Sequence, residues 1–232
     1  MELKKTTRIE SDLIGEREIP GHILYGVQTL RGIENFPISN FHLNDYPLFI
    51  NGLAMTKWAA AVANHRLGLL TDAQKDGIVK ACKEILEGKH HEHFPVDMIQ
   101  GGAGTTTNMN ANEVICNRAL QIMGHEAGEF AHLSPNDHVN CSQSTNDAYP
   151  TAIHLGLYAT YLKFRPHLLD LIESLRAKSR EFAHVLKMGR TQLEDAVPMS
   201  LGQTFGGFAS ILQDKIKNLD FATEEFLTVN MG

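Results

Sequence analysis

Two long apolar stripes near the C-terminus limit most strongly what this chain can fold into. On both sides of a break at residues 184–196, apolar side chains recur every three or four positions, which is the period of an amphipathic helix. Each helix would be roughly 45 Å long at about 1.5 Å per residue. Two such helices cannot bury both stripes against each other, so we expect them to be antiparallel members of a larger helical bundle. The first stripe comprises Ile153, Leu157, Tyr161, Phe164, Leu168, Ile172, Leu175 and Phe182, and the second Leu201, Phe205, Phe208, Leu212, Ile216, Leu219 and Phe226.

Shorter helices are predicted in the part of the chain that precedes the stripes. Apolar periodicity and capping residues favour helices over residues 47–67, 71–86 and 108–123. The predicted apolar stripe of the first of these consists of Phe49, Leu53, Met55, Trp58, Val62 and Leu67. Residues 1–46 contain frequent Gly and Pro, so we predict irregular structure there, with at most short β segments such as 23–27.

These patterns define a fold class and a domain division. The chain is predicted to be mainly α, with a mostly helical N-terminal domain and minor short β over residues 1–146. Residues 147–232 are predicted to form the first part of a central helical bundle, which is incomplete in this chain. Pro150 fits the first turn of the first long helix, and Pro166 is expected to kink it.

Charge and cysteine usage exclude several classes of protein. The 232 residues include 27 acidic and 21 basic ones, for a formal net charge of −6, and they lack the clustered Lys and Arg of a nucleic-acid binder. No run of about 18 apolar residues predicts a membrane span, and the charged first twelve residues do not resemble a signal peptide. Cys82, Cys116 and Cys141 are an odd number without a CxxC pair, so we expect reduced thiols in a cytoplasmic protein.

Three polar, small-residue segments stand directly before predicted helices, at residues 101–107, 142–147 and 189–198. A helix N-terminus offers unpaired N–H groups and the positive end of the helix dipole, so such a junction can bind a carboxylate or a phosphate. Ser, Thr and Asn are also good N-caps, and plain capping is the favoured interpretation of any one segment taken alone. Spacing does not show whether the three segments converge.

Other candidate sites carry weaker signals. His90, His91 and His93 lack a recognised ligand spacing and stand in a polar loop, so no metal site is predicted there. The glycine segment has no Lys after its last Gly and is therefore not a phosphate-binding P-loop. No local nucleophile motif is present.

Taken together, the polar segments resemble the aspartase/fumarase superfamily. The matching stretches are GGAGTTTNMNANEV at 101–114, NDHVNCSQSTNDAYP at 136–150, KMGRTQLEDAVPMSLGQ at 187–203 and the opening segment at 8–36. Within the superfamily, three features favour the aspartase branch over the fumarase branch. They are the GGAGT form of the glycine loop, the Ser144-Thr145-Asn146 sequence and Gln192 after Thr191.

The resemblance implies a reversible anti-elimination of ammonia from L-aspartate to give fumarate, through an aci-carboxylate intermediate. It implies no organic cofactor, while a divalent cation is a candidate activator because some members respond to one. Hydrogen-bond donors aimed at the developing dianion should carry much of the catalysis. By resemblance, Thr105, Ser144, Thr145 and Asn146 bind the substrate carboxylates, Thr191 contacts the substrate or its amino group, and Gln192 lies beside it.

The resemblance also implies what this chain lacks. The superfamily's mobile loop of GSSxMPxKxNP type, which supplies a serine base, has no counterpart within residues 1–232. We therefore expect the base to lie C-terminal to Gly232, outside this chain, and the chain alone to be inactive. The resemblance further implies a homotetramer whose active sites combine residues of three subunits. A fumarase-like hydratase and a non-catalytic module for dicarboxylate binding or assembly remain as alternatives.

Overall fold

The computed structural model describes residues 7–229 and residue 231. Helices dominate, which confirms the mainly α prediction. In chain order the elements are β1 (Thr7–Asp12), β2 (Gly15–Pro20), α1 (Val27–Asn35), α2 (Pro47–Arg66), α3 (Asp72–Leu86), α4 (Thr105–Ile122), α5 (Thr145–Glu181), β3 (Leu186–Thr191), β4 (Glu194–Ser200) and α6 (Leu201–Glu224). A π-helical turn, Pro135–Val139, precedes α5. Among the described residues, no helix is both long and apolar enough to cross a membrane.

Gly232, the last residue of the predicted bundle segment, lies outside the described residues. The resemblance to the superfamily implies that the serine base lies C-terminal to this glycine. That placement stays a prediction, because no described residue lies beyond Met231.

The described chain divides into two compact units. The first contains the described residues up to Leu157 together with Val229 and Met231, and the second contains Tyr158–Thr228. The division falls inside α5. Each unit has its own cluster of buried apolar side chains.

The core of the first unit lies among α2, α3 and α4. Ile78 and Ile85 of α3 and Ile115 and Leu120 of α4 are fully buried in one cluster with Leu53 of α2. Burial of this kind stabilises a fold by about 1.5–3 kcal/mol for each large aliphatic side chain. The predicted helices over residues 47–67 and 71–86 agree with α2 and α3 to within one residue.

Gly52 marks the closest approach of two helices within the first unit. A Cβ built at this position would overlap the carbonyl oxygen of Ala152 and lie 3.1 Å from its carbonyl carbon. Backbone cannot move aside as a flexible side chain can. The sequence therefore needs glycine here so that α2 can pack against the first turns of α5.

We expect Gly52→Ala to lower the free energy of unfolding by about 1–3 kcal/mol, the typical cost of overpacking a core. Gly207→Ala is the matched control, because it also lies inside a helix and a Cβ there would meet no atom within 4 Å. It should stabilise the chain by roughly 0.5–1 kcal/mol, since alanine favours a helix interior more than glycine does. Urea unfolding of the two variants measures both changes, and equal midpoints would contradict the packing argument.

The prediction of irregular structure over residues 1–46 is wrong for β1, β2 and α1, and its first six residues lie outside the described residues. Strands β1 and β2 form an antiparallel hairpin, with pairs running from Thr7–Pro20 to Asp12–Gly15. The carboxylate of Asp12 near the turn accepts two hydrogen bonds from the Arg31 guanidinium of α1, at 2.9 Å each. The predicted β segment at 23–27 contains no strand. Hydrogen bonds between charged side chains attach this hairpin to α1. A prediction from hydrophobic periodicity does not detect such contacts.

The second unit consists of the later part of α5, the β3–β4 hairpin and α6. The contacts Ser179–Gly202 and Arg165–Asp220 run in opposite order along the two helices, so the helices are antiparallel, as predicted. Asp220 accepts hydrogen bonds from Arg165 and from Tyr161. The break predicted at 184–196 is largely the β3–β4 hairpin. Many apolar side chains of this unit remain exposed, namely Leu162, Phe164, Leu169, Leu171, Phe208, Ile211, Leu219 and Phe221.

The starts of two helices differ from the prediction. Helix α4 begins at Thr105 and not at Asn108, and α5 begins at Thr145, so Pro150 lies past its first turn. Helix α5 then continues through Pro166 without a break. Helix α4 begins early because Gln100 accepts a hydrogen bond from the Thr107 N–H, and α5 does so because the Ser144 hydroxyl accepts from the Asn146 N–H.

Candidate active site

The glycine segment before α4 has a backbone that only glycine adopts readily. Gly102 and Gly104 have φ angles of +75° and +87°, in the left-handed region. Gly104 is also the N-cap of α4, where a Cβ would overlap the Tyr149 ring. Two independent constraints, one conformational and one steric, therefore require glycine at residue 104.

Gln100 closes the same segment onto the first turn of α4. Its side-chain oxygen accepts a hydrogen bond from the Thr107 N–H at 2.9 Å, and its amide donates to the Thr107 hydroxyl at 2.6 Å. Within the described residues, the N–H groups of Thr105 and Thr106 have no such acceptor. Thr105 itself is exposed, and its hydroxyl lies over Gly102. The start of α4 thus presents two unpaired N–H groups and a hydroxyl.

The Ser144-Thr145-Asn146 segment is positioned by buried side chains of other helices. Asn108 of α4, which is 1% exposed, donates to the Thr145 hydroxyl at 3.0 Å and to the Asn140 side-chain oxygen at 3.1 Å. Asn64 of α2 donates to the Cys141 carbonyl at 2.8 Å. The Ser144 hydroxyl accepts from the Asn146 N–H at 3.2 Å.

Lys57 of α2 lies behind this segment and is fully buried. Its ammonium donates to the side-chain oxygens of Asn140, at 2.9 Å, and Gln143, at 3.0 Å. No carboxylate among residues 7–229 forms an ion pair with it. Burial lowers the pKa of Lys57 from its usual 10.5 to about 7, and burial raises the pKa of the nearby Cys82 thiol to about 12.

Lys57 also fixes the direction of the hydrogen bonds that reach Thr145. In its protonated form, present below about pH 7, Lys57 can only donate, so the group of Asn140 that faces it must be the oxygen. The same oxygen accepts from the Asn108 amide, which therefore presents its NH₂ to the Thr145 hydroxyl as well. With its oxygen accepting from Asn108, the Thr145 hydroxyl keeps its own hydrogen for donation to another acceptor. A free hydroxyl donor of this kind is what a carboxylate-binding site needs.

A cavity of about 520 Å³ within the first unit brings the glycine segment and the start of α5 together. Gly102 and Gly104 line one side, and Asn146, Tyr149 and Pro150 line the other. None of the described residues that line it is charged. Burial raises the pKa of the Tyr149 phenol, which therefore stays protonated at neutral pH.

The remaining predicted site residues, Thr191 and Gln192, belong to the second unit. Thr191 ends β3 and pairs with Glu194 across the hairpin. Gln192 and Leu193 form the two-residue turn, with φ angles of +51° and +67°. Non-glycine residues in the left-handed region cost roughly 1–2 kcal/mol each, and such strain concentrates at functional positions. Both predicted residues are exposed.

Two expectations about other side chains need correction or extension. Sequence reasoning missed Lys57, Asn140 and Asn108. These residues form a chain of hydrogen bonds that ends at the Thr145 hydroxyl. The histidine loop is not simply solvated, because His93 is 8% exposed and its ring accepts from the Leu24 N–H at 3.5 Å.

Comparisons with known proteins identify the class to which this fold and cavity belong. The sequence profile of a family described as lyase matches residues 15–232. Because the match covers most of the chain, the chain belongs to this lyase family, the aspartase/fumarase superfamily.

Relatives place the chain more narrowly. It is 54% identical over 226 residues to an aspartate ammonia-lyase of Pseudomonas canavaninivorans and 49% identical over 231 residues to that of Escherichia coli K12. These matches cover 97% and 99% of this chain and 48% of each relative. The chain thus spans about half the length of the curated relatives that it matches.

Solved structures agree with this assignment. A structure of a fumarate lyase:delta crystallin from Brucella melitensis, bound to cobalt, matches with a TM-score of 0.93 and 49% identity, over 97% of this chain and 49% of that one. A class II fumarase from Schistosoma mansoni matches with a TM-score of 0.85 and 38% identity, over 97% of this chain and 47% of that one.

Proposed function

We propose that this chain supplies the carboxylate-binding loops of an aspartate ammonia-lyase. The observation that carries the proposal is the uncharged cavity between the N-termini of α4 and α5, which the glycine segment lines on one side and Asn146 and Tyr149 on the other. Relatives named aspartate ammonia-lyase are 49–54% identical, against 38% for the fumarase structure, which favours ammonia as the leaving group over water.

The chemistry explains why neutral donors suit this cavity. Removal of a proton from the carbon beside the β-carboxylate of L-aspartate places a second negative charge on that carboxylate. In the proposed reaction, Thr105, Ser144, Thr145 and Asn146 donate hydrogen bonds to the substrate carboxylates and stabilise the aci-carboxylate. Donors that are already oriented need no reorganisation as the charge develops, so they lower the barrier. A cavity of about 520 Å³ is ample for a four-carbon dicarboxylate.

The remaining roles in this proposal come from elsewhere. Thr191, with Gln192 beside it, would contact the substrate or its amino group. The serine base would come from a segment C-terminal to Gly232, since residues 1–232 contain no GSSxMPxKxNP-like sequence. The homotetramer remains a prediction, and the exposed apolar side chains of α5 and α6 support it because helices of other subunits would cover them. The cytoplasmic location and the absence of an organic cofactor also remain predictions, as does activation by a divalent cation.

Three measurements test this function. The mass of the intact protein from its source cells should be near twice the 25.8 kDa of this chain. That protein should form fumarate from L-aspartate and not from L-malate, whereas the 232-residue chain should form none. Preference for malate would replace the proposal with a hydratase. A native mass of 25.8 kDa without turnover would replace it with a binding or assembly module.

Fumarate binding to the 232-residue chain separates binding from turnover. Saturation-transfer NMR should detect contact between fumarate protons and this chain if the cavity binds a carboxylate. Gly104→Ala should abolish that signal, because a Cβ at this position would overlap the Tyr149 ring, and both residues line the cavity. Turnover by the repurified 232-residue chain would contradict the external position of the base.

A further inference from the structure

Three potential metal ligands converge on one surface of the first unit, outside the candidate active site. One donor atom from each of His125, Glu129 and His132 lies within 4.8 Å of the others. The Nδ1 atom of His125 is 3.3 Å from a Glu129 oxygen, and the imidazole rings of His125 and His132 are stacked with centroids 3.9 Å apart. Two ligands about 2.1 Å from a tetrahedral ion are about 3.4 Å apart, which is close to the 3.3 Å between His125 and Glu129.

The backbone that carries these side chains is anchored by buried groups. Asn117, which is fully buried, accepts a hydrogen bond from the Gly128 N–H at 2.9 Å. The Cys116 thiol donates to the Leu133 carbonyl at 3.0 Å, and Gln74 of α3 donates to the His132 carbonyl at 3.2 Å. The loop is thus fixed at both ends by α4 and in between by α3. Little backbone ordering would remain to be done when an ion binds.

The ligand side chains have few other polar partners. In the described part of the chain, the His132 ring stacks on the His125 ring and forms no hydrogen bond or ion pair, and the His125 ring has Glu129 as its one polar partner. The Glu129 carboxylate also accepts a hydrogen bond from the Glu126 N–H at 3.3 Å. All three side chains are partly or fully exposed, so water and ions reach them. The nitrogen lone pairs of two stacked imidazoles are parallel. Binding of one ion therefore requires the rings to rotate until both lone pairs point at the ion. Exposed side chains can make that rotation at little cost.

A second histidine cluster in the same unit lacks this freedom. His90, Glu92 and His93 also lie close together, but the His90 Nε2 atom is 2.8 Å from Glu84, which also forms a two-pronged pair with Arg118. Since the His93 ring is buried against the Leu24 N–H, a cation there would have to break existing contacts.

The local charge also favours a cation. Residues 124–140 contain Glu126, Glu129 and Asp137 and no Lys or Arg. Arg8, which lies against Gly128, directs its guanidinium to Glu10 and to backbone carbonyls. No described basic side chain therefore competes for Glu129.

We propose that His125, Glu129 and His132 form a binding site for one borderline divalent cation of the Zn²⁺ or Co²⁺ type. Two imidazole nitrogens and one carboxylate oxygen suit such ions, whereas Mg²⁺ and Ca²⁺ prefer oxygen ligands alone. Three protein ligands leave a fourth position for water. The ion ties the C-terminal end of α4 to the loop that leads towards α5, and so it stabilises the folded chain. This proposal does not depend on the proposed lyase function.

Titration of the 232-residue chain with Co²⁺ tests the site, since tetrahedral Co²⁺ with nitrogen ligands absorbs visible light. One equivalent should bind, and Zn²⁺ should displace it while excess Mg²⁺ should not. His125→Gln and His132→Gln should each weaken binding by at least about tenfold. His167→Gln, at an exposed histidine of the second unit, is the matched control and should bind as the wild type does. Circular dichroism verifies that each variant is folded.

The outcomes that overturn the proposal are distinct. Absence of one-equivalent binding in the folded wild-type chain would do so, and so would a folded His132→Gln variant with unchanged affinity. Loss of binding in His90→Gln, with His132→Gln unaffected, would assign the ion to the other histidine cluster. Because none of these readouts involves aspartate or fumarate, failure of the site and failure of the proposed function are distinguishable.

Discussion

Replacing Lys57 with methionine is expected to remove most of the rise in stability that the wild-type chain shows between about pH 7 and pH 10.5. In the folded chain the pKa of Lys57 is lowered to about 7 by burial, and in the unfolded chain it returns to its usual 10.5. Between these values the unfolded chain binds more protons, so the free energy of unfolding increases with pH. Below pH 7 both states are charged, and the full cost of burying the ammonium is present. That cost is on the order of 5 kcal/mol.

Urea unfolding at several pH values measures this effect as the difference between wild type and variant. The difference cancels the titration of all other groups that the substitution leaves unchanged. Lys80→Met is the matched control, because Lys80 is exposed on α3 and should leave the pH dependence as it is in the wild type. A Lys57→Met variant that keeps the wild-type slope would show that the ammonium is solvated and that it does not fix the polarity of the Asn140 and Asn108 amides.

Lys57 also illustrates what periodicity could and could not predict. The boundaries of α2 followed from the sequence, but its buried face did not. Of the predicted stripe, Leu53 is buried, but Met55 and Trp58 are only partly buried. The other buried positions of α2 are Ile50, Gly52, Ala54, Thr56, Lys57, Ala61 and Asn64. Lys57 and Asn64 occupy core positions because their acceptors come from Asn140, Cys141 and Gln143, some 80 residues away. No local pattern contains that information.

Only part of the candidate site was predictable, again because some of its contacts come from residues distant in the sequence. Small polar residues before a helix predict an anion-binding N-terminus, and the structure brings two of the three segments to one cavity within the first unit. The start of α4 was predicted three residues too late, because Gln100, which lies outside the helical pattern, accepts a hydrogen bond from its first turn. The two β-hairpins were missed because their strands are mostly exposed and lack alternation between apolar and polar residues.

Thr145 provides the second large effect, and it is expected in catalysis and not in stability. In the complete enzyme proposed above, Thr145→Val removes a hydroxyl that accepts from the Asn108 amide and so keeps its hydrogen for the substrate carboxylate. Loss of one oriented donor to a developing oxyanion lowers kcat by roughly 10²–10³. Thr145→Ser keeps the hydroxyl and should retain most of the rate. The measurement is kcat and KM for L-aspartate, with urea unfolding of the same three proteins.

The alternative role for Thr145 makes the opposite prediction. If the hydroxyl only caps the start of α5, Thr145→Val should lower the free energy of unfolding by about 0.5–2 kcal/mol and leave kcat near the wild-type value. Asn108→Ala separates the two roles further, because it removes the orienting amide while the Thr145 hydroxyl stays. An oriented donor requires kcat to fall in Asn108→Ala as well, with a smaller loss than in Thr145→Val. A normal rate in both variants would remove Thr145 from the carboxylate-binding residues and leave the N–H groups of Thr105 and Thr106 as the principal donors of the cavity.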